Sequence, residues 1–328
     1  MILILSKFAD EHARAVTTEI EAMGAEVTLL DLSNFPHSSF LSLRFQETYK
    51  AFHLEMTNGT LIDFTKCRAV WWRRPQPLQL SDTVTNDRHR LFAYSEAQEA
   101  IAGLWETLDA NWINHPGKDL RGHRKVYQLR LAQDIGLRIP NTLITSSPKE
   151  ARAFLDSRSD SKTICKSFSA TEDDWRETRI VTDEELTQLD SVALAPVIFQ
   201  EYIEAAYDLR ITVVGKRLFA AAIYSQETSY KIDFRMDIAN AGIEPVELPV
   251  EIEDLLLEYM RRLELTYGAI DMRVTPEGEY VFLEINPAGQ WLFIEQETKQ
   301  PIARALAEEL VRLDWVDEDQ ESTSPPDL

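Results

Sequence analysis

The chain has 328 residues, of which 44% are hydrophobic and 27% are charged, so it is long enough for two or three domains with well-formed cores. Its formal net charge of -21 argues against nucleic-acid binding, because phosphate recognition requires clustered Lys and Arg, but it is compatible with a basic peptide partner. The longest apolar runs are strand-sized, which excludes a segment that spans a bilayer. The start lacks the pattern of an export signal and the two cysteines lie far apart, so we expect a reduced, cytoplasmic setting.

Residues 1–115 alternate between strand and helix patterns. A first helix ends at Gly24, and a long helix is predicted from about Asp82 to Asp109. Strands that alternate with helices predict a parallel sheet covered by helices, and hence a doubly wound α/β domain. No G-x-G-x-x-G pattern occurs, so nothing here indicates a dinucleotide site. The strand candidates are ILILS, EVTLLDL, TLIDF, AVWWRR and NWINHP.

Residues 116–200 form a second block, predicted to be a smaller lobe. It opens with one long helix over 118–136, which is ended by Gly136 and Pro140. Two of its strands are expected to pair around the polar segment SATEDDW. The strand candidates of this block cover residues 139–146, 163–168, 177–182 and 196–203.

Residues 201–315 have a different pattern, in which strands follow one another in hairpins. One hairpin turns at Gly215 and Lys216, and a second turns at the sequence PEG. An amphipathic helix over 251–265 separates them, and a last helix follows over 301–313. Hairpins with a few helices predict an α+β domain. The polar tail, residues 316–328, is predicted to be disordered.

Polar side chains interrupt the last hairpin. The other residues of its strands are mostly apolar, which predicts that the strands are buried. Asp271 lies in its first strand, and Glu284 and Asn286 lie two residues apart in its second, so the latter two point to one face. Two carboxylates and an amide oxygen are ligands that suit Mg²⁺, which completes its coordination with water and substrate phosphates. No His or Cys joins them, which disfavours zinc. The alternative is that these groups only bind loop backbone at the strand ends.

Two lysines add to the case for a phosphate ligand. Lys166 lies in the strand TICKSF, where a buried ammonium group needs an anion, and Lys125 lies on the predicted long helix. Both are suited to phosphate as point charges. A structural ion pair for Lys166 and an exposed helix charge for Lys125 are the alternatives.

The connection FQEYIEAAYDLR joins the second block to the third. Its backbone can offer amides and carbonyls to an adenine edge, and Asp208 can meet ribose hydroxyls. Taken together, the ordered set of these lysines, QEYI, D-x-R, Asp271 and E-x-N resembles the ATP-grasp ligases. The segments WWRRP, KIDFR and EINPAGQW further resemble the ATP-grasp maturases that crosslink microviridin-type peptides, the graspetides. The likeness extends from MILILS to PIARALAEEL.

This resemblance implies an ATP-grasp fold in which an N-terminal α/β domain precedes two lobes that clamp ATP. It implies domains at 1–115, 116–200 and 201–315, with ATP and Mg²⁺ as cofactors. The residues implied to bind ATP are Lys125, Lys166, Glu201, Tyr202, Ile203 and Asp208. The implied Mg²⁺ ligands are Asp271, Glu284 and Asn286. The residues implied to stabilise the transferring phosphoryl group are Arg210 and Arg235.

The resemblance also implies a substrate and a partner. The expected reaction is ATP-dependent formation of ω-ester or ω-amide crosslinks within a ribosomal precursor peptide, consisting of leader and core. The acidic residues Glu172, Asp173 and Asp174 are expected to bind a basic residue of the leader, and a solvated turn is the alternative. The alternatives are a ligase that adds amino acids to a C-terminus and a regulatory nucleotide-binding module. Neither monomer nor homodimer is excluded.

Overall fold

A computed structural model describes residues 1–158, 161–168, 178–228 and 230–315. The predicted leader-binding acids Glu172, Asp173 and Asp174 and the tail 316–328 lie outside the described residues. The strands are β1 (Ile2–Ser6), β2 (Val27–Leu30), β3 (Ser39–Gln46), β4 (Tyr49–Met56), β5 (Leu61–Asp63), β6 (Ala69–Arg74), β7 (Asn111–Ile113), β8 (Thr142–Thr145), β9 (Thr163–Lys166), β10 (Arg179–Ile180), β11 (Val197–Glu201), β12 (Tyr207–Val214), β13 (Arg217–Ile223), β14 (Ile243–Pro245), β15 (Tyr267–Val274) and β16 (Tyr280–Asn286). The α-helices are α1 (Glu11–Ala22), α2 (Asp87–Thr107), α3 (Pro116–Gly122), α4 (Lys125–Asp134), α5 (Pro148–Asp156), α6 (Asp183–Thr187), α7 (Val250–Leu263), α8 (Leu292–Thr298) and α9 (Ile302–Trp315).

The N-terminal domain is built on a parallel sheet with the strand order β2-β1-β6-β7. Alternate residues of β1 face opposite sides, so Ile2 and Ile4 pack in one core with α1 and α9. Leu3 and Leu5 pack in a second core with α2. Helices therefore cover both faces, and the predicted doubly wound arrangement is confirmed. The C-terminal helix α9 contributes to this first domain, which the sequence pattern did not indicate.

A separate antiparallel sheet, with the order β3-β4-β5, was missed in the sequence analysis. Its hairpin turns at Glu47 and Thr48, a pair without the Gly or Asn that usually indicates a tight turn. Strand β5, which we expected in the parallel sheet, pairs with β4 instead. The sheet packs Phe52 and Leu54 into the core under α2, so it extends the first domain.

The central lobe contains a sheet with the order β10-β9-β11-β8. The expected pairing of the two strands around SATEDDW is confirmed by β9 and β10, which run antiparallel. The single long helix predicted at the start of the lobe is wrong, because α3 ends at Gly122 and α4 begins at Lys125. A Cβ on Gly122 would lie 2.8 Å from the ring of Pro287, so glycine at the end of α3 lets the chain pass close to the residue that follows β16.

The C-terminal lobe is a five-stranded antiparallel sheet with the order β14-β13-β12-β15-β16. Both predicted hairpins are present, at β12–β13 and β15–β16. Helix α7 covers one face through Leu256, Tyr259 and Leu263. No helix in the part of the chain that the structure describes is long and apolar enough to cross a membrane.

Candidate active site

A cleft of about 800 Å³ separates the central lobe from the C-terminal sheet. Its walls come from the start of α4, from β9, from the connection after β11 and from β12, β15 and β16. The predicted site residues that line it are Lys125, Lys166, Glu201, Tyr202, Ile203, Asp208, Arg235, Asp271, Glu284 and Asn286. Arg210 is not part of the wall but lies behind it, in contact with Asp271.

The three predicted metal ligands meet on paired strands. Asp271 lies directly opposite Glu284 in the β15–β16 register, and Asn286 lies two residues further along, opposite Ala269. Among the described residues, no cluster of three or more His, Cys, Asp or Glu side chains forms a metal site. Two carboxylates with one amide oxygen instead fit Mg²⁺, which typically relies on few protein ligands and on substrate phosphates.

Glu284 stays ionised in the cleft. Burial raises the pKa of its carboxyl, but the ammonium groups of Lys125 and Lys166 outweigh this and hold the pKa at about 2. The ammonium of Lys125 contacts the Glu284 carboxylate directly. Burial lowers the pKa of Lys166 to about 8, although Glu284 opposes the shift. Positive groups suited to phosphate therefore lie beside the carboxylate suited to the metal.

Asp271 has a different electrostatic partner. Its carboxylate accepts a hydrogen bond of 2.6 Å from the guanidinium of Arg210. Burial raises the pKa of Asp271, and Arg210 opposes that shift. The guanidinium of Arg210 also packs between the rings of Phe234 and Phe293, with centroids at 5.8 and 5.9 Å. These contacts hold the second carboxylate in one orientation.

Arg235 faces the same end of the cleft from a short turn that follows Asp233. Asp233 caps this turn and accepts hydrogen bonds of 2.8 and 2.5 Å from the guanidinium of Arg235. Burial lowers the pKa of Arg235, but the Asp233 carboxylate more than compensates and raises it overall. The site therefore has two arginines near the carboxylate pair.

The connection between the lobes forms the other end of the cleft. The backbone N–H of Tyr202 donates to the backbone carbonyl of Lys162 at 3.0 Å, and the carbonyl of Ile203 accepts from the guanidinium of Arg273 at 2.7 Å. Asp208 is buried and accepts from Arg273 at 2.8 Å and from the hydroxyl of Ser225. Because both oxygens of this carboxylate already accept a hydrogen bond, contact with ribose hydroxyls would use a further lone pair. The contact of Asp208 with ribose stays a prediction.

The sequence analysis missed two buried arginines, of which Arg273 lines the cleft and Arg73 lies outside it. Arg273 donates to the carbonyls of Lys231 and Ile232 as well as to Ile203, and so ties three segments together. Arg73 of the WWRRP segment, to which the sequence analysis assigned no role, is only 1% exposed. The signal for both was a cation inside an apolar strand, which requires a partner when it is buried.

Comparison with known proteins agrees with this geometry. The chain matches the family model of the MvdD pre-ATP-grasp domain over residues 1–119 and that of the RimK-like ATP-grasp domain over residues 122–310. No curated protein sequence matches the chain significantly.

Several solved structures share the whole fold. The macrocyclase MdnC from Microcystis aeruginosa MRC, bound with the precursor peptide MdnA, is 32% identical, with 95% of this chain and 99% of that chain covered and a TM-score of 0.85. A RiPP-associated ATP-grasp ligase from Chryseobacterium gregarium, in complex with ADP and a leader and core peptide, is 32% identical, with 95% and 96% covered and a TM-score of 0.87. The macrocyclase MdnB from Microcystis aeruginosa MRC is 28% identical, with 94% and 98% covered and a TM-score of 0.80.

The family predicted from WWRRP, KIDFR and EINPAGQW is thereby confirmed, as is the ATP-grasp fold with its preceding α/β domain. The chain belongs to the RiPP-associated ATP-grasp ligases, the ATP-dependent enzymes that include the macrocyclases MdnC and MdnB.

Proposed function

We propose that the protein uses ATP and Mg²⁺ to form side-chain ω-ester or ω-amide crosslinks within a ribosomal precursor peptide, in the cytoplasm. The observation that carries this proposal is the single cleft in which two carboxylates and an amide lie among lysines and arginines, next to an inter-lobe connection suited to adenine. Its relatives at 32% identity were solved with a precursor peptide and with a leader and core peptide, which supports a peptide substrate.

Crosslink formation proceeds in two steps. A side-chain carboxylate oxygen of a peptide Asp or Glu attacks the γ-phosphorus of ATP, and ADP leaves, so that an acyl phosphate forms. A Ser or Thr hydroxyl, or a Lys amine, then attacks the acyl carbon and loses its proton. Inorganic phosphate leaves with the original carboxylate oxygen. No protein nucleophile is needed, and the protein acts by positioning and by charge stabilisation.

The cleft residues suit these steps by their charge. The ammonium groups of Lys125 and Lys166 would hold phosphate oxygens, and the guanidinium groups of Arg210 and Arg235 would stabilise the transferring phosphoryl group. The adenine and ribose would lie against the remaining predicted residues, which are Glu201, Tyr202, Ile203 and Asp208.

Asp271, Glu284 and Asn286 would hold Mg²⁺. The ion, when bound, would neutralise negative charge on the phosphate oxygens. In the structure the carboxylates of Glu284 and Asp271 pair with Lys125 and Arg210, and Lys166 lies beside Glu284 as a further cation.

A basic residue of the leader is the expected partner of the acidic residues Glu172, Asp173 and Asp174, in keeping with the net charge of -21. Replacing all three by lysine is expected to weaken leader binding severalfold, as measured by calorimetry with the isolated leader peptide.

The reaction is tested by incubating the enzyme with ATP, Mg²⁺ and the short peptide encoded beside its gene, followed by mass spectrometry. We expect the peptide to lose the mass of one water for each crosslink, in step with the release of phosphate. A gain of an amino-acid residue mass would instead identify a C-terminal ligase. Absence of phosphate release with this peptide and with its core alone would contradict ligase chemistry and favour a regulatory module.

A further inference from the structure

Residues 287–289 form the loop that follows β16, and side chains of other strands donate hydrogen bonds to its carbonyls. The carbonyl of Ala288 accepts hydrogen bonds from Arg73 at 2.6 Å and from Arg74 at 3.0 Å. The carbonyl of Gly289 accepts from Arg73 at 2.7 Å and from the hydroxyl of Tyr267 at 2.7 Å. Both arginines belong to β6 of the N-terminal domain, so a different domain fixes the backbone beside the candidate metal site.

Arg73 is itself positioned by the N-terminal domain. The register between β1 and β6 shifts from Leu5 opposite Trp72 to Ser6 opposite Arg74, which leaves Arg73 without a residue opposite it and re-aims its side chain. Its guanidinium lies 3.4 Å from the carboxylate of Asp10.

Asp10 connects this arginine to β1 and α1 of the N-terminal domain. Its carboxylate accepts a hydrogen bond from the hydroxyl of Ser6 at 2.7 Å. It also caps the N-terminus of α1 by accepting from the backbone N–H of His12 at 2.9 Å. The position of Arg73 is therefore set by a strand and a helix at once.

The loop in turn fixes Asn286. The backbone N–H of Ala288 donates to the side-chain oxygen of Asn286 at 3.0 Å, and the N–H of Gly289 donates to the Asn286 carbonyl at 3.1 Å. The loop packs closely on β15, since a Cβ on Gly289 would lie 2.3 Å from the Cβ of Ala269. The amide oxygen keeps a second lone pair for a ligand.

We propose that Arg73 is a positioning residue for the metal site, through which the N-terminal domain orients Asn286. The inference rests on the proposed role of Asn286 as a ligand of Mg²⁺. Arg73 does not line the cleft, so its effect passes through the carbonyls of Ala288 and Gly289. The Nη1 atom of Arg73 donates to both carbonyls while its Nε atom faces Asp10, so two different nitrogens of the guanidinium reach the two groups at once, which the single nitrogen of a lysine cannot reproduce.

The test measures ADP binding by calorimetry as Mg²⁺ is titrated, without peptide, on the full chain. For Arg73→Lys we expect the half-saturating Mg²⁺ concentration to rise about 10- to 100-fold, as when a residue supporting a metal ligand is changed. Binding of ADP in EDTA should stay within about twofold of wild type. Arg74→Met, which loses one hydrogen bond from a half-buried side chain, is the matched control and should shift the Mg²⁺ dependence far less.

Two outcomes would overturn the proposal. One is an unchanged Mg²⁺ dependence in Arg73→Lys, and the other is an equal loss of ADP affinity with and without Mg²⁺, which a merely structural role would produce. If Arg73→Lys does not fold, Asp10→Asn replaces it, since it keeps the shape of the cap but removes the charge that faces Arg73. Glu284→Gln is measured alongside: if it leaves the Mg²⁺ dependence unchanged, the metal assignment fails, whereas failure of Arg73→Lys alone overturns only the positioning role.

Discussion

Glu284→Gln is expected to lower the rate of peptide crosslinking by about a thousandfold or more. Transition-state stabilisation by a metal ion amounts to several kcal/mol, and each 1.36 kcal/mol corresponds to about a factor of ten in rate. The change removes the carboxylate that contacts Lys125 and lies beside Lys166, and so disturbs both the metal and the phosphate side of the cleft. The rate is measured from phosphate release and from the mass of the peptide.

Glu279→Gln is the matched control for this experiment. Glu279 precedes the same strand, but it is exposed and pairs with Arg138 on the surface. A surface ion pair contributes about 0–1 kcal/mol to stability, so this variant should crosslink at the wild-type rate. A wild-type rate in Glu284→Gln, with the fold retained, would refute the metal assignment.

Arg273→Leu is expected to lower the free energy of unfolding by about 3–5 kcal/mol, because it leaves the buried carboxylate of Asp208 without its ion-pair partner. The carbonyls of Ile203, Lys231 and Ile232 lose a donor at the same time. The measurement is urea unfolding of the full chain without ligand.

The double variant Asp208→Leu/Arg273→Leu separates the ion pair from these carbonyl contacts. We expect it to be less destabilised than the sum of the two single variants by about 0.5–3 kcal/mol, since neither charge is then left unpaired. Strict additivity of the two single effects would mean that the pair contributes nothing and would contradict the account.

The sequence predicts the C-terminal lobe well because its signals are local. Alternation in the strands and the short turn PEG place Asp271 opposite Glu284, as observed. The type of the N-terminal sheet was also predicted, from strands that alternate with helices, but β5 was wrongly assigned to it and β1 pairs with the distant β6. Pairing between near neighbours in the chain leaves a pattern that can be recognised in one sequence.

Features that depend on distant contacts could not be predicted in this way. The close approach of Gly122, where α3 ends, to Pro287 joins two residues that are far apart in the chain. The burial of Arg73 depends on two carbonyls in another domain. The sequence pattern indicated only that a cation lies at the end of an apolar strand, and not which group would receive its hydrogen bonds.

Transfer of oxygen from the peptide to phosphate tests the central claim most directly. The peptide is labelled with ¹⁸O in its Asp and Glu side-chain carboxylates and incubated with the enzyme, ATP and Mg²⁺, and the released phosphate is analysed by mass spectrometry. Activation as an acyl phosphate predicts that each crosslink delivers a carboxylate ¹⁸O atom to phosphate. Crosslinked peptide accompanied by unlabelled phosphate would contradict the proposed reaction.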